Sequence, residues 1–327
     1  MSIADCSTAD MPTLSERDQR QLQQVEKKYQ LVTDRTGSVA TGRATGFYLY
    51  GTGGCGKTYR VLAELDRLEV PYKLFNSRMT GRGLYNALEE FPDEIHVLED
   101  MEQMFRDSGA RGVLRSALWW QPSDKDDRAP ERVVTWTTHR MEHSFIFSGG
   151  IIMTANRPLP EIPELLALKT RITYLHLTVT DNEMMALMRS ICLDGYRWRT
   201  EIMDAKECSK VCEFIIAECR GMNRSFDVRL LVNSFHDYLQ WRDCQSRLDW
   251  EDLVSCRVRE RAASIREARS ISSRAAQLQE ELRIAAQIDA DSADRQERAS
   301  LWRERTGKSE QTLYRRLQQL NEDRITQ

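Results

Sequence analysis

Short apolar runs alternate with amphipathic segments over the first 180 residues of the chain. The apolar runs have the length of buried strands, and helix-like or polar segments separate them. They lie at 47–50, 71–76, 94–98, 150–155 and 174–177. Strands that alternate with helices predict an α/β fold, in which a doubly wound parallel sheet carries helices on both faces.

The pattern turns to helical periodicity near residue 181 and stays helical from there on. We therefore expect an all-helical lid after the sheet, then an Arg-rich helical connector and a C-terminal helical tail. We also expect a loop over 32–45 and a linker or frayed helix over 284–294. The predicted domains are 1–31 (N-terminal tail and helix), 32–180 (sheet core), 181–245 (lid), 246–290 (connector) and 291–327 (tail).

The charged residues nearly balance, with 47 Lys and Arg against 50 Asp and Glu and a net charge of −3 over 327 residues. This balance excludes a protein that binds nucleic acid through bulk charge alone, so any such contact needs a local basic patch. No apolar run is long enough to span a membrane, and the N-terminal segment lacks the features of a signal peptide. We expect a cytoplasmic protein with free thiols and no membrane partner. The helical spacing of Cys208, Cys212 and Cys219 favours core packing over a metal site.

A glycine-rich segment follows the first strand and opens a helix. It reads Gly51-Thr52-Gly53-Gly54-Cys55-Gly56-Lys57-Thr58 and is called the glycine loop below. It matches G-x-x-x-x-G-K-[ST] at each fixed position, in the strand–loop–helix context that this pattern requires. Backbone N–H groups and the helix N-terminus of such a loop attract phosphates. Lys57 supplies a cation for the β- and γ-phosphates and Thr58 a hydroxyl for Mg²⁺, so the loop predicts binding of ATP with Mg²⁺.

The third apolar run ends in carboxylates, Glu99 and Asp100, and Glu102 follows closely. One carboxylate at this place in a phosphate-binding site holds Mg²⁺, and the next can polarise the attacking water. We favour Glu99 for the metal and Asp100 for the water. The reverse register, with Asp100 on the metal and Glu102 nearby, stays open at this point.

Over residues 30–245 the chain resembles AAA+ ATPases. Five landmarks occur in the family's order: the glycine loop, the acidic pair Glu99–Asp100, and the segments 150–158, 165–172 and 223–231. The resemblance implies hydrolysis of ATP to ADP and phosphate by a ring or filament of subunits. The family more often has Asp before Glu, where this chain has Glu99 before Asp100.

The resemblance also implies roles for three polar residues. Asn156 matches the sensor-1 position, which orients the attacking water, and the alternative is a turn residue before Pro158. Arg171 matches the arginine finger that reaches the γ-phosphate of a neighbouring subunit, and the alternative is a surface ion pair. Arg229 matches the sensor-2 arginine of the lid, with Arg224 as the rival.

Two β-rich runs, 133–138 and 144–147, predict a hairpin with His139, Arg140 and His143 at its tip. Some AAA+ proteins use a hairpin at this place to contact DNA or a pore substrate, and the basic tip would suit that role. The alternative is a hairpin that merely extends the sheet edge.

The segment 299–320 resembles a helix-turn-helix, with a tight turn at Thr306-Gly307 before an amphipathic second helix. In such a unit the second helix lies in the major groove of DNA. The implied DNA contacts are Lys308, Ser309, Gln311, Thr312 and Tyr314 for base edges and Arg315 and Arg316 for phosphates. Eight basic and six acidic residues give 292–327 a net charge of only +2, so a helical hairpin that packs on another subunit is the alternative.

Together these features lead us to expect an oligomeric ATPase coupled to DNA, an accessory protein of replication, transposition or mobile-element maintenance. Two alternatives stay open. One is a nucleotide-gated DNA-binding regulator with slow turnover, and the other is a protein remodeler whose tail binds a protein partner.

Overall fold

The computed structural model describes residues 12–119, 132–137, 142–292 and 294–325. The chain divides into two compact units, Met1–Ser255 and Cys256–Gln327. Within the described ranges, no helix combines the length and the apolar content needed to cross a membrane.

The strands of the described residues are β1 (Gly46–Tyr50), β2 (Tyr72–Phe75), β3 (Ile95–Glu99), β4 (Arg132–Thr137), β5 (Glu142–Phe147), β6 (Gly150–Ala155), β7 (Thr173–His176), β8 (Tyr196–Trp198) and β9 (Glu201–Met203). The α-helices are α1 (Glu16–Ala40), α2 (Lys57–Arg67), α3 (Gly81–Glu90), α4 (Ser108–Leu118), α5 (Pro163–Lys169), α6 (Asp181–Leu193), α7 (Ala205–Gly221), α8 (Val228–Arg242), α9 (Trp250–Asp291), α10 (Arg295–Thr306) and α11 (Glu310–Ile325). A short 3-10 helix spans Glu102–Arg106.

Five strands form one parallel sheet in the order β2-β3-β6-β1-β7. Strands β1, β3 and β6 are almost wholly buried, as expected for a sheet with both faces covered. The connection from β1 runs to β2 at one edge, whereas the connection from β6 runs to β7 at the other. The α/β class with a parallel sheet is therefore confirmed. Open sheets of this kind place ligands outside the carboxyl ends of their strands, where such connections diverge.

The predicted hairpin is confirmed as the antiparallel pair β4–β5, which forms a sheet of its own. Among the described residues it shares no ladder with the five-stranded sheet, so the expectation that it extends that sheet's edge is wrong. Trp136 and Phe145 anchor it against the ring of Tyr85. His143 lies exposed in β5, whereas the predicted tip residues His139 and Arg140 lie outside the described residues.

The loop predicted over 32–45 is wrong for residues 32–40, because α1 continues to Ala40. The buried residues of α1 recur at steps of three and four, which keeps one face of the helix on the core. They are Val25, Tyr29, Val32, Thr36 and Val39. The predicted domain boundary at residue 31 therefore falls inside a helix.

The predicted lid contains α6, α7 and α8, but it is not all-helical, because β8 and β9 form a small hairpin between α6 and α7. Cys208, Cys212 and Cys219 are all fully buried, which agrees with core packing. Capping boxes at Thr180 and Asp204 fix the starts of α6 and α7. The lid belongs to the same compact unit as the sheet.

The second unit has its own apolar core, formed by Ala285, Ile288, Trp302 and Leu313 with Leu317 packed against it. Of the two alternatives predicted for 284–294, the linker is wrong, because α9 runs on to Asp291 and buries Ala285 and Ile288. The predicted turn is present, with Gly307 in the left-handed region between α10 and α11.

Candidate functional site

The carboxyl ends of β1, β3 and β6 meet at one edge of the sheet, because the three strands are adjacent and parallel. The glycine loop leaves β1 at this edge, and the Gly51 N–H donates to the Ala155 carbonyl at the end of β6 (3.2 Å). Glu99 ends β3 and Asn156 follows β6. The sequence-predicted residues Glu99, Asp100 and Asn156 are thus brought to the glycine loop by strand topology.

Two glycines of the loop occupy backbone conformations that other residues adopt only with strain. Gly54 has φ 78° and Gly56, which precedes α2, has φ 80°. Gly51 is required for space, since a Cβ there would overlap the carbonyl oxygen of Leu177. The loop therefore depends on its glycines, and its geometry gives the backbone a tight path into the N-terminus of α2.

Two residues outside the motif hold the glycine loop in place. The Tyr29 hydroxyl on α1 donates to the Cys55 carbonyl (2.8 Å), and burial raises the pKa of this phenol, so it stays a donor. On the other side, the Val228 N–H at the start of α8 donates to the Gly54 carbonyl (3.1 Å). Neither support could be predicted from the sequence. Tyr29 and Val228 are far from the glycine loop along the chain, and no sequence motif links them to it.

Lys57 is the central cation of the site, and its side chain is 7% exposed. Its ammonium group donates to the carbonyls of Gly51 and Thr52 (both 2.9 Å) and to Asn156 Oδ1 (3.2 Å). Burial lowers the pKa of Lys57, since few waters stabilise its charge. These three acceptors are neutral oxygens, so the cation has no carboxylate bound directly to it in this set of contacts.

Thr58 and Glu99 form the next part of the site. The Thr58 hydroxyl donates to Glu99 Oε1 at 2.6 Å and lies 3.1 Å from the hydroxyl of Thr154 on β6. Thr154 is a third residue that sequence reasoning missed, because a threonine in an apolar strand is ordinary there. The three side chains place oxygen atoms together next to the glycine loop.

Asp100 and Asn156 form a pair beside Lys57. Asn156 Nδ2 donates to Asp100 Oδ1 (2.9 Å), while the amide oxygen accepts from Lys57. Asp100 has a left-handed backbone (φ 52°) and its N–H donates to the Thr154 carbonyl (2.9 Å). Burial, with the nearby charges of Glu102 and Glu99, raises the pKa of Asp100 above its ordinary value.

Arg229 lies near the glycine loop, whereas Arg171 lies at the other edge of the sheet. Arg229 is exposed in the first turn of α8, close enough that its charge contributes to lowering the pKa of Lys57, after the larger effect of burial. Arg171 lies two residues before β7, so it is at the amino-end edge of the sheet, across from the glycine loop. Its guanidinium is 5.8 Å from the ring centroid of Trp119.

The residues predicted to contact DNA fall into two groups in the second unit. Arg316 Nε donates to Glu281 Oε2 (2.9 Å) and Lys308 also pairs with Glu281, a carboxylate that is 5% exposed. Ser309, Gln311 and Arg315 are exposed, whereas Thr312 and Tyr314 are half-buried. The structure therefore ties Lys308 and Arg316 into the fold of this unit.

No family model matches the chain. It is 27% identical over 191 residues to an uncharacterized 36.7 kDa protein from the nrdC–mobD intergenic region of Enterobacteria phage T4. The match covers 52% of this chain and 56% of that protein, so the chain spans about half the length of the curated relative that it matches.

Proposed function

We propose that the glycine loop binds the phosphates of ATP and that this chain hydrolyses ATP with Mg²⁺. The observation that carries the proposal is Lys57, a buried ammonium group that donates to three neutral oxygens of the described residues. A buried cation without a directly bound anion is costly, and a phosphate would supply that anion. The N-terminus of α2 adds further positive potential at the same place.

The residues beside the loop fit a magnesium ion. Mg²⁺ prefers oxygen ligands, and Thr58 and Glu99 bring a hydroxyl and a carboxylate within 2.6 Å of each other. In this proposal Thr58 and Glu99 hold the ion, directly or through water, with Asp100 as the second carboxylate within reach. The ion would neutralise charge that develops on the phosphates.

Asp100 and Asn156 would act on the attacking water. The raised pKa of Asp100 favours a carboxylate that can accept a proton, and the Asn156 amide lies between this carboxylate and Lys57. Arg229 would sense the nucleotide from the first turn of α8, which touches Gly54. These contacts support the assignment in which Glu99 binds the metal and Asp100 acts on the water.

The DNA coupling is proposed for the second unit, through the exposed residues Ser309, just before α11, and Gln311 and Arg315 in its first two turns. The ion pairs of Lys308 and Arg316 with Glu281 leave fewer free cations than the sequence alone implied. This observation keeps the protein remodeler as the second candidate, in which the tail binds a protein.

The test of the nucleotide site is ATP binding and hydrolysis by the full chain, by Lys57→Ala and by Lys27→Ala as a matched control. Lys27 is an exposed lysine on α1. Loss of a preorganised donor to the phosphates should reduce turnover by about 10²-fold or more, and Lys27→Ala should leave it unchanged. Undiminished turnover in Lys57→Ala would contradict the proposal.

The same assay with and without double-stranded DNA, at low and moderate salt, tests the coupling. Stimulation that weakens as salt rises is expected for a DNA-coupled motor, because phosphate contacts are salt-dependent. Slow turnover with tight, site-specific DNA binding would favour the nucleotide-gated regulator. Turnover and binding that DNA leaves untouched would favour the protein remodeler.

A further inference from the structure

The turn that carries Asn156 is held at two consecutive residues. Glu102 Oε1 accepts the backbone N–H of Asn156 at 3.0 Å. The Tyr48 hydroxyl on β1 donates to the carbonyl of the next residue, Arg157, at 2.8 Å. The backbone is therefore held just after β6 ends, at Asn156, whose side-chain amide contacts both Lys57 and Asp100.

Glu102 lies on an element that packs into the core. It begins the 3-10 helix Glu102–Arg106, whose Met104 and Phe105 are each 3% exposed and belong to the core. The Phe105 ring packs near the Tyr48 ring, with centroids 6.1 Å apart. Tyr48 and the neighbours of Glu102 on the 3-10 helix therefore belong to one packed cluster, and Glu102 itself is half-buried beside it.

The position of the turn decides what the Asn156 side chain can reach. That side chain has only two rotatable bonds, and its amide is used at both ends, by Lys57 on the oxygen and by Asp100 on the nitrogen. A small shift of the backbone would break one of the two contacts. Displacements of about 1 Å in a catalytic group can cost about 10²-fold in rate.

We infer that Glu102 is a positioning residue for the reaction proposed above: its carboxylate holds the Asn156 backbone, so that the Asn156 amide stands between Lys57 and Asp100. The inference rests on the proposed ATPase function and adds a residue that acts through Asn156. It differs from the alternative assignment of roles, in which Asp100 binds the metal and Glu102 is one of the reacting carboxylates. In the positioning role Glu102 needs an acceptor oxygen but no charge and no proton transfer.

The test compares Glu102→Ala, Glu102→Gln and the control Gln103→Ala in the full chain, with kcat, the Kd for ATP and thermal unfolding measured for each. Gln103 is the exposed neighbour on the same 3-10 helix. Glu102→Ala should lower kcat by about 10- to 100-fold and leave the Kd for ATP within about two-fold. Glu102→Gln keeps the acceptor oxygen and should recover most of the rate, while Gln103→Ala should match the wild type.

A double-mutant cycle with Asn156→Ala separates positioning from an independent role. The backbone N–H remains in Asn156→Ala, but the side chain that Glu102 positions is gone. Glu102→Ala should therefore add little to Asn156→Ala, which is a strong departure from additivity. Full additivity, or a Glu102→Gln variant as slow as Glu102→Ala, would overturn the inference.

Tyr48→Phe gives a second route if Glu102→Ala fails to fold. It removes the other support of the turn without touching Glu102, and kcat should fall while the Kd for ATP is retained. An unchanged kcat in this variant would also count against the inference. A wild-type chain that neither binds nor hydrolyses ATP would contradict the proposed function and this inference together, whereas an active wild type with an active Glu102→Ala would contradict the inference alone.

Discussion

Gly54 lies where the glycine loop meets α8, and its environment leaves no room for a side chain. Its φ is 78°, and a Cβ there would lie 2.5 Å from the Cβ of Asp227. Asp227 caps α8 by accepting the Leu230 N–H at 2.7 Å. A substitution at Gly54 would therefore disturb the loop and the start of α8 at the same time.

We predict that Gly54→Ala lowers the thermal unfolding temperature and weakens ATP binding by ten-fold or more. The left-handed conformation alone costs an alanine about 1–2 kcal/mol, and the overlap with Asp227 adds to it. Gly112→Ala is the matched control, because Gly112 lies inside α4 with no atom within 4 Å of its added Cβ. That variant should be neutral or slightly stabilising. A Gly54→Ala protein that binds ATP as tightly as the wild type, measured by calorimetric titration, would show that the loop tolerates a side chain there.

The residues of the site differ in how far sequence could predict them. Glu99, Asp100 and Asn156 were predictable as neighbours of the glycine loop, because each directly ends or follows an apolar strand and parallel strands end at one edge. Tyr29 and Thr154 were not, because their residue types are ordinary in a helix and a strand. Their roles arise only when distant segments pack together.

At the scale of elements, strands were easier to predict than the ends of helices. A buried strand is a short apolar run between polar breaks, and the predicted runs lie within one or two residues of the strands of the five-stranded sheet. Helix ends depend on tertiary contacts: Val39 extends α1 through a Thr- and Gly-rich segment because it is buried. Ile288 likewise extends α9 through a small, acidic segment by packing with Trp302.

Two neighbouring arginines of α11, Arg315 and Arg316, lie in different environments. Substituting each in turn can therefore distinguish an effect on DNA binding from an effect on the stability of the unit. Arg315 is exposed, whereas Arg316 is half-buried and bonded to the buried carboxylate of Glu281. Burial opposes ionisation of Glu281, but hydrogen bonds from Lys308 and Arg316 hold the pKa of this carboxyl below its ordinary value. Removing Arg316 would leave a buried carboxylate with one partner fewer.

We predict that Arg315→Ala weakens binding to double-stranded DNA and reduces the slope of log K against log salt by about one, the signature of one lost phosphate contact. Arg316→Ala should instead destabilise the unit by about 1–3 kcal/mol, because a buried acceptor loses a charged donor. Fluorescence anisotropy over a salt series and denaturant unfolding measure the two effects. Equal DNA affinity of wild type and Arg315→Ala at every salt concentration would contradict the DNA role of α11.

At the scale of the whole molecule, the position of Arg171 within a single chain limits what it can do. It precedes β7 at the amino-end edge of the sheet, whereas the glycine loop lies at the carboxyl-end edge. The sheet is about 15 Å across in this direction, since a strand rises about 3.3 Å per residue. Arg171 therefore cannot complete the site of its own chain, and a role at the γ-phosphate requires a second copy of the chain.

We predict that Arg171→Ala binds ATP normally but loses turnover by about 10³-fold or more, as is typical when an arginine finger is removed. Mixing it with Lys57→Ala should restore part of the activity, because a hybrid interface joins the intact glycine loop of one variant to the intact Arg171 of the other. The recovered rate should peak near equal amounts of the two proteins. Mixing Arg171→Ala with the double variant Lys57→Ala/Arg171→Ala is the control, since that pair offers no intact interface and should stay inactive. If no mixing ratio of the first pair recovers turnover, although light scattering shows that mixed oligomers form, Arg171 does not act across subunits.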